Sequence, residues 1–561
     1  MRKSLLSLLL LFLSVGIAWA QKKQVSVTGL ILASENNEPI DGASVLCVEF
    51  PRSGVLTDAK GRFTLTLPEG AKHLRISYIG YATQTVALTG RELRVVLQST
   101  EKTLDPLVVS AYGTQRRSSL TGATSSVKAS AIASAKVESV DKALAGKVAG
   151  VRVTSQTGEP GAAGTLQIRG VGSINGTTEP LYVVDGVPVT AGDYGISGLS
   201  SNILASINPE DIESISVLKD AASTSIYGSR AANGVIMITT KKGKANQEMK
   251  ISFNTSIALQ DVNKYVDVMS ADQYRQTVKG LNIPAAEALL GNANTNWQKE
   301  IYQVAPMSNS TLVLSGAYKT LPYRVSIGHS YADGVLRTDN FKRTNAKISL
   351  NPTFFDKSLK LELNANGTYM QNRFAEKGAI SSAVLYDPTQ SVFGGPAKYG
   401  GYHAWIDPAT QNRSNLAATN PMALLNFTDD SSKVFRFIGN VKVDYTLPFF
   451  KDITATVNAG LDYSNGKGDK IIDRRMPTAT TGFAGSTNTY DNKATNKLFD
   501  AYVNYMKDIK DTHSIGLMVG HSYQSFEFDD NSTQNDYFVN PGDNKHIPNI
   551  NKSKNVLMSF F

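Results

Sequence analysis

The chain has 561 residues, with 57 Lys and Arg against 48 Asp and Glu and a formal charge of +9; at roughly 100–200 residues per domain it suggests three to five domains, or one large β architecture with attachments. Charged residues are 19% and hydrophobic ones 41%, which excludes a charged disordered tail and a bundle of membrane helices. One Cys excludes a disulfide framework and any Cys-built metal site, six His leave little for a His-rich centre, and +9 over the whole chain is too diffuse to argue for nucleic acid.

Arg2 and Lys3, the apolar stretch Leu5 to Ile17, and Ala18-Trp19-Ala20 form a secretory signal peptide, residues 1–20, with cleavage marked by Ala18 and Ala20. A membrane anchor is disfavoured, because that stretch spans only about 20 Å as a helix against a hydrocarbon core of about 30 Å. Gln21 follows the cut, so no lipid-bearing Cys starts the mature chain. No later stretch approaches about 18 consecutive apolar residues. A mature membrane resident would therefore be a closed β-barrel, whose sheet leaves no edge in lipid.

Residues 25–98 read as a small β-sandwich. Alternating runs at 25–28, 43–48, 62–67 and 74–78 are punctuated by Asp41-Gly42, Gly61, Pro68-Glu69-Gly70 and Gly80. Cys47, between Leu46 and Val48, reads as a small buried hydrophobe. Residues 103–114 form a linker, where Pro106 and Gly113 bracket an apolar β-prone stretch with no obvious partner strand nearby. It is either a connector or edge strand of the preceding domain, or an extended peptide that adds itself to another protein's sheet.

Residues 115–243 form a mixed α/β segment. A short amphipathic helix is expected over 142–149, then strands at 151–154, 167–170 and 181–186 with glycine turns. Asn208-Pro209-Glu210-Asp211 reads as a helix start, with Asn as N-cap and Pro at the first helical position. A strand at 215–218 and a helix at 221–227, closed by Gly228, precede Asn233-Gly234 and the strand 235–240.

These stretches carry two resemblances. Gly42-Ala43-Ser44-Val45, Thr57-Asp58 with Gly61 and Phe63, and 77–81 resemble the carboxypeptidase-regulatory-like domain, which implies a sandwich without catalytic residues of its own. Ile168-Arg169-Gly170, the run 180–188 with Asp185-Gly186, and the run 207–222 with Asn208, Pro209 and Glu210 resemble the plug of TonB-linked outer-membrane transporters. The run 226–236, with Tyr227, Gly228, Arg230 and Gly234, is similar to the SusC/RagA branch of that family.

The resemblance implies that Asp105, Pro106, Leu107, Val108, Val109, Ser110, Ala111 and Tyr112 form the TonB box, which pairs with TonB of the inner-membrane energising complex. Pro106 departs from the family, whose box usually carries an acidic residue there, and removes a backbone donor. The resemblance also implies a SusD-like surface lipoprotein that delivers glycan or peptide. Arg169 reads as a plug charge paired with acids such as Glu210 or Glu213, more readily than as a substrate contact.

From 247 onward the pattern alternates over ten residues and more. Ile251, Phe253, Thr255, Ile257 and Leu259 interleave with Ser252, Asn254, Ser256 and Ala258; similar runs occupy 359–369 and 453–463. With runs near 310–318, 323–333, 343–354, 434–447, 496–506 and 513–526, and one starting near Asn555, this is the signal of an outer-membrane barrel. Turns at 355–358, 448–452 and 507–512 are tight, while 372–432, 465–493 and 527–553 read as long polar external loops. Tyr369 and Tyr463 at loop ends, and Phe354, Phe449 and Phe450 at turn ends, mark two aromatic girdles. Ten strands are too few for a plugged lumen, which belongs to about 22. Despite the terminal Phe561, a favoured barrel ending, residues 247–561 are expected to be the truncated first part of a longer barrel.

No G-x-S-x-G, H-E-x-x-H or P-loop occurs, so no enzyme, cofactor or resident metal is expected. The acids around 527–532 with Asn535-Asp536 could ligate calcium, although acidic external loops are usually just solvated. The fold expected is mainly β: a sandwich, a mixed plug, then about ten strands of a transmembrane antiparallel barrel. The function expected is active import of a large nutrient through the outer membrane, in contact with its lipid. The alternatives are a plugged-barrel sensor signalling to an anti-sigma factor and, more distantly, a secreted glycan hydrolase.

Overall fold

The computed structural model describes residues 24–34, 38–51, 53–78, 81–88, 90, 92–98, 107–110, 113–116, 124–133, 139–155, 157–162, 164–174, 178–189, 203–220, 224–477, 483–509, 513–538 and 545–560. Ala18, Ala20, Asp105, Pro106, Ala111 and Tyr112 lie outside the described residues. The chain divides into two compact units, the first running to Leu107 and the second holding most of the chain beyond it.

The first unit is a sandwich of seven strands: β1 (Gln24–Ala33), β2 (Ser44–Cys47), β3 (Gly54–Leu56), β4 (Arg62–Pro68), β5 (His73–Ser77), β6 (Gln84–Ala87) and β7 (Glu92–Leu97). They form the sheets β4-β1-β7 and β3-β2-β5-β6. Alternation decides the core. Phe63, Leu65 and Leu67 of β4 face inward to meet Val27, Ile31, Val45, Leu74 and Ile76. Each fully buried aliphatic side chain contributes about 1.5–3 kcal/mol. Cys47 sits in this core, 1% exposed.

In the linker, β8 (Leu107–Ser110) pairs with β9 (Gly113–Arg116) as a two-stranded sheet. The stretch expected to lack a partner strand therefore finds one in the residues just beyond it.

The plug contains β10 (Thr124–Lys128), α1 (Ala129–Ala133), α2 (Val140–Leu144), the hairpin β11 (Val151–Ser155) and β12 (Gly164–Ile168), then β13 (Leu181–Val184), β14 (Val187–Val189), β15 (Ile212–Leu218) and β16 (Val235–Thr240). Its main sheet has the order β10-β15-β16-β13-β14, with β13 parallel to β16. Asp185 (φ 48°) and Gly186 (φ 88°) form the two-residue turn between β13 and β14; two positive φ angles are what a type I′ hairpin needs. Gly234 is sterically required, since a Cβ there would lie 2.7 Å from Ile168 Cδ1 and 3.0 Å from the Leu218 carbonyl.

Three helix expectations are corrected. The one at 142–149 shortens to α2, because Gly146 turns left-handed (φ 71°). Asn208 caps as expected, its side chain accepting from Glu210 N at 3.1 Å, but only a 3-10 turn (Pro209–Asp211) intervenes before β15 begins. The β-rich alternation from Ile212 onward overrides the helix start. Residues 225–231 are 3-10 turns kinked at Gly228 (φ 67°, ψ −157°), not a helix closed there; consecutive Ser and Thr compete for backbone bonds and weaken a helix.

The wall is one antiparallel sheet whose ten long strands are neighbours in chain order: β17 (Lys250–Gln260), β18 (Ala305–Tyr318), β19 (Leu321–Asp333), β20 (Asn340–Leu350), β22 (Leu359–Phe374), β23 (Thr428–Thr446), β24 (Ile453–Ile472), β25 (Phe483–Ile509), β26 (His513–Phe538) and β27 (Lys545–Phe560). A short β21 (Thr353–Phe354) pairs with β22. Apolar side chains cover the outside, with Ile257 80% and Leu259 72% exposed, while Arg343, Asn345 and Ser349 are buried inside. Phe354, Phe449 and Phe450 are exposed at the turn ends and Tyr369 at a loop end, whereas Tyr463 is half-buried. Among the described residues no helix is long and apolar enough to cross a membrane.

The external connections differ from expectation. Most of 465–493 and 527–553 is ladder, since β24 to β27 run well past the apolar band and β27 starts at Lys545. Those extensions are polar on both faces, so they show no hydrophobic alternation. The acids at 527–532 lie on β26 rather than in a loop. The connections 261–304 and 375–427 instead carry helices: α3 (Ala271–Gly280), α4 (Pro284–Glu287), α5 (Trp297–Ile301), α6 (Gly378–Leu385) and α7 (Pro421–Phe427). Trp297 and Ile301 of α5, Ala379 of α6 and Leu425 of α7 share a core with Leu336 and Tyr386, a cap with its own apolar interior.

Candidate functional site

The polar inner wall meets the plug along a seam centred on residues 204–211. The carbonyls of Ala205, Ser206 and Ile207 point at the wall, and strands β20 and β22 answer them. Arg343 Nη1 donates to Ala205 O at 2.8 Å and to Ile207 O at 3.4 Å, and Thr368 Oγ1 donates to Ser206 O at 2.8 Å. Arg343 is 1% exposed. Asn208 Nδ2 donates to Thr311 Oγ1 at 3.0 Å. Gly328 leaves room for that amide, since a Cβ there would lie 2.6 Å from it.

Two ion pairs cross the seam. Asp211 accepts from Arg324 Nη2 at 2.8 Å, both side chains under 10% exposed, and Asn345 Nδ2 lies 3.5 Å from its other oxygen. Asp185 accepts from Thr240 N at 2.9 Å and from its hydroxyl at 2.5 Å, and Lys347 Nζ stands 3.8 Å away. Such buried pairs are strongly destabilising only when one partner is lost. Asp185 O also accepts from Asn440 Nδ2 at 3.2 Å, and Pro188 O accepts from Asn496 Nδ2. A cavity of about 20 Å³ beside Asp185, Asp211 and Lys347 has room for a water. On the plug, burial lowers the pKa of Lys241, whose ammonium donates to Glu210 O at 2.8 Å.

The residues singled out in the sequence divide into three groups. Asp185, Asn208, Glu210 and Arg230 touch the wall: Glu210 Oε2 accepts from Asn254 Nδ2 at 2.9 Å, and Arg230 donates to Gln524 at 2.5 Å and lies 4.8 Å over the Phe526 ring. Ile168, Gly170, Gly186, Pro209, Tyr227, Gly228 and Gly234 shape the plug itself. Arg169 (φ 58°) is corrected: it pairs with Asp220 at 2.5 Å, not with Glu210 or Glu213, and is 54% exposed. Leu107, Val108, Val109 and Ser110 form β8. Sequence reasoning missed Arg324, Arg343, Lys347, Thr368 and Asn440. Their one signal was a lumen face carrying Arg and Lys, such as Arg343-x-Asn345-x-Lys347.

Residues 116–235 match the TonB-dependent Receptor Plug Domain, and residues 27–110 match the CarboxypepD_reg-like domain. The TonB-dependent receptor SusC of Bacteroides thetaiotaomicron is 35% identical over 98% of this chain and 55% of its own length. The chain belongs to the SusC/RagA family of TonB-dependent receptors. TonB-dependent receptor P3 of Formosa agariphila is 31% identical over 94% of this chain and 50% of its own. The chain thus spans about half the length of the curated relatives it matches. Among solved structures, the RagAB peptide importer in its open-open state superposes with a TM-score of 0.66 at 24% identity, over 81% of this chain and 54% of that one. That likeness shows the fold: a sandwich, a plug and part of a barrel. The relatives are transporters and receptors, not enzymes.

Proposed function

We propose that the protein imports a large nutrient, a glycan or a peptide, across the outer membrane at the expense of TonB. In this reading the chain is exported through a signal peptide cleaved after Ala20, the sandwich faces the periplasm, and a SusD-like lipoprotein presents substrate at the outer face. The observation that carries it is the chemistry of the seam. A plug held by hydrogen bonds and ion pairs can part from its wall, because water replaces each lost partner, whereas an apolar seam would expose its whole area. Residues 105–112 act as the TonB box. TonB adds a strand to them through backbone bonds, and side chains set only the register. Pulling there first loads β10, an edge strand of the plug sheet whose one partner in that sheet is β15.

In the complete transporter, Val108→Pro or Val109→Pro is expected to abolish uptake, since each removes an N–H and distorts the strand. Substrate binding at the cell surface is expected to persist, and Val108→Ile to be nearly silent. Uptake and surface binding measured side by side decide the matter: proline variants that import at the normal rate refute the assignment. Co-purification of a surface lipoprotein from outer membranes tests the partner.

A further inference from the structure

On the outer face of the wall the side chains follow one order along the strands. In β23 the outward positions are apolar from Tyr445 to Phe435, and residues 435–445 extend about 33 Å along the strand. At a tilt of about 40° that covers an apolar band of about 25 Å. Lys433 is the next outward position. In β22 the outward run from Leu359 ends at Tyr369 and is followed by Gln371 and Arg373. Lys342 of β20, Lys467 of β24 and Lys497 of β25 occupy the corresponding places. The first charged side chain beyond the band is thus basic on five neighbouring strands. The acids Asp429, Asp469 and Asp491 begin farther out along β23, β24 and β25.

The register joins some of these bases into one row: Lys342 stands opposite Gln371, Gln371 opposite Lys433, and Lys433 opposite Lys467. Like charges directly opposite each other destabilise a sheet unless an anion lies between them. Lys467 turns to Asp491 at 2.9 Å and Arg373 to Asp429 at 3.0 Å. Lys342 Nζ lies 5.6 Å over the Tyr331 ring, and Lys433 is exposed with no ion pair among the described residues. Lys342 and Lys433 are two strand spacings apart, about 10 Å, so both ammoniums can reach one group above the Gln371 amide. Just inside the row, Tyr369 stands opposite Phe435, and such aromatic belts sit at the depth of lipid headgroups. Farther into the band Ala346, Gly367 and Ala365 leave a shallow depression, where a Cβ on Gly367 would meet nothing within 4 Å. Both β22 and β23 are paired on two sides, so a protein strand finds no edge here. We propose that Lys342, Gln371 and Lys433 hold the phosphate of an anionic membrane lipid, with one of its acyl chains lying in the depression at Gly367. Lysine suits phosphate as a point charge, and an ammonium beside the apolar band is where a lipid brings one. The proposal rests on the wall lying in a lipid bilayer and not on import.

The purified chain is tested in detergent by native mass spectrometry against phosphatidylglycerol, phosphatidylcholine, diacylglycerol and glycerol phosphate. Phosphatidylglycerol is expected to bind about fivefold or more better than phosphatidylcholine and diacylglycerol, and far better than glycerol phosphate, which has no chains. Lys433→Gln is expected to weaken that binding about fivefold, the effect of one base beside an anionic headgroup, and Lys433→Arg to preserve it. Gly367→Leu, which fills the depression and leaves every base in place, is expected to weaken it about twofold or more. Lys451→Gln, in the exposed turn at the other end of the wall, is expected to leave it unchanged. No preference for phosphatidylglycerol, undiminished binding in Lys433→Gln, or glycerol phosphate bound as tightly as the lipid overturns the site. Uptake by the complete transporter is scored separately. Import without selective lipid binding refutes only the lipid site, and lipid binding without import refutes only the import reading.

Discussion

In β4 of the sandwich, Phe63, Leu65 and Leu67 turn inward, and Arg62, Thr64 and Thr66 meet water. In β20 of the wall, Arg343, Asn345, Lys347 and Ser349 turn inward, while Ala346 and the 42%-exposed Ile348 turn out. Both strands alternate with period two, and their polarity is reversed. Alternation states that a strand has two unlike faces; the medium on each side decides which face is the core. Where water surrounds the fold, apolar faces close on each other. Where lipid surrounds it, apolar faces stay outside and the interior is left to polar side chains, which must then find partners. The plug supplies them.

The largest expected effect breaks the wall's side of this comparison. Asp211→Ala leaves the Arg324 guanidinium buried without its carboxylate and is expected to cost about 3–5 kcal/mol. Urea denaturation of the folded chain, tracked by protease cleavage within the plug, measures it. Asp211→Leu combined with Arg324→Met is expected to be close to neutral. A double variant as damaged as the single one would show that the pair itself, rather than its balance, holds the plug.

The sandwich is expected to fail by the opposite route. Leu74→Ala, at a fully buried site, leaves a cavity and is expected to cost about 2–5 kcal/mol. Ile348→Ala on the lipid face leaves none and is expected to cost less than half as much, read from the thermal midpoints of the two units. Equal losses would mean that the outer face of the wall is packed against protein.

The cap adds a pH dependence. Burial pushes the Asp339 carboxyl up to about 7, against the pull of the Ala375 N–H that it accepts at 2.5 Å; Glu159 raises it further and Lys377 opposes. Because the folded-state value lies above the ordinary 3.8, the protonated form favours folding. That contribution is complete below about pH 4 and is lost as pH rises through about 7. Cleavage within 375–427 is expected to be faster at pH 8 than at pH 5.5, and Asp339→Asn to remove the difference.

The smallest effect lies on the sandwich surface. The His73 side chain, 2.8 Å from Glu49, holds the Glu49 carboxyl down to about 2, helped by the N–H groups of Lys72 and His73. Its folded-state value lies below the ordinary 4.5, so the contribution is present above that pH and disappears as pH falls through about 2. Glu49→Gln is expected to change the thermal midpoint slightly at pH 7 and by less at pH 2.

Some of the plug was legible because its signals are local. Asp185-Gly186 announces a type I′ turn, and its two positive φ angles come from the residue types alone. The helix starts were legible and misleading, since a cap at Asn208 specifies the first turn and not what the next residues prefer. The ladder extensions of β24 to β27 escaped because polar residue types alternate with polar ones there, and a strand with two polar faces reads as a loop.

What the sequence determined by itself was therefore the strands with an apolar face, the tight turns, the inversion of polarity between the two regions and the family to which the chain belongs. These depend on residue type over windows of two to twelve positions. What only the tertiary structure decided was partnership: Arg324 with Asp211, Lys347 with Asp185, Arg343 with the carbonyls of 205 and 207, and Arg169 with Asp220 rather than Glu210. The seam partners lie more than 110 positions apart in the chain. Any Arg suits any acid chemically, so residue type cannot choose between them. Register and the depth at which the plug seats select which charges meet, and a one-residue slip would turn every one of them to the other face.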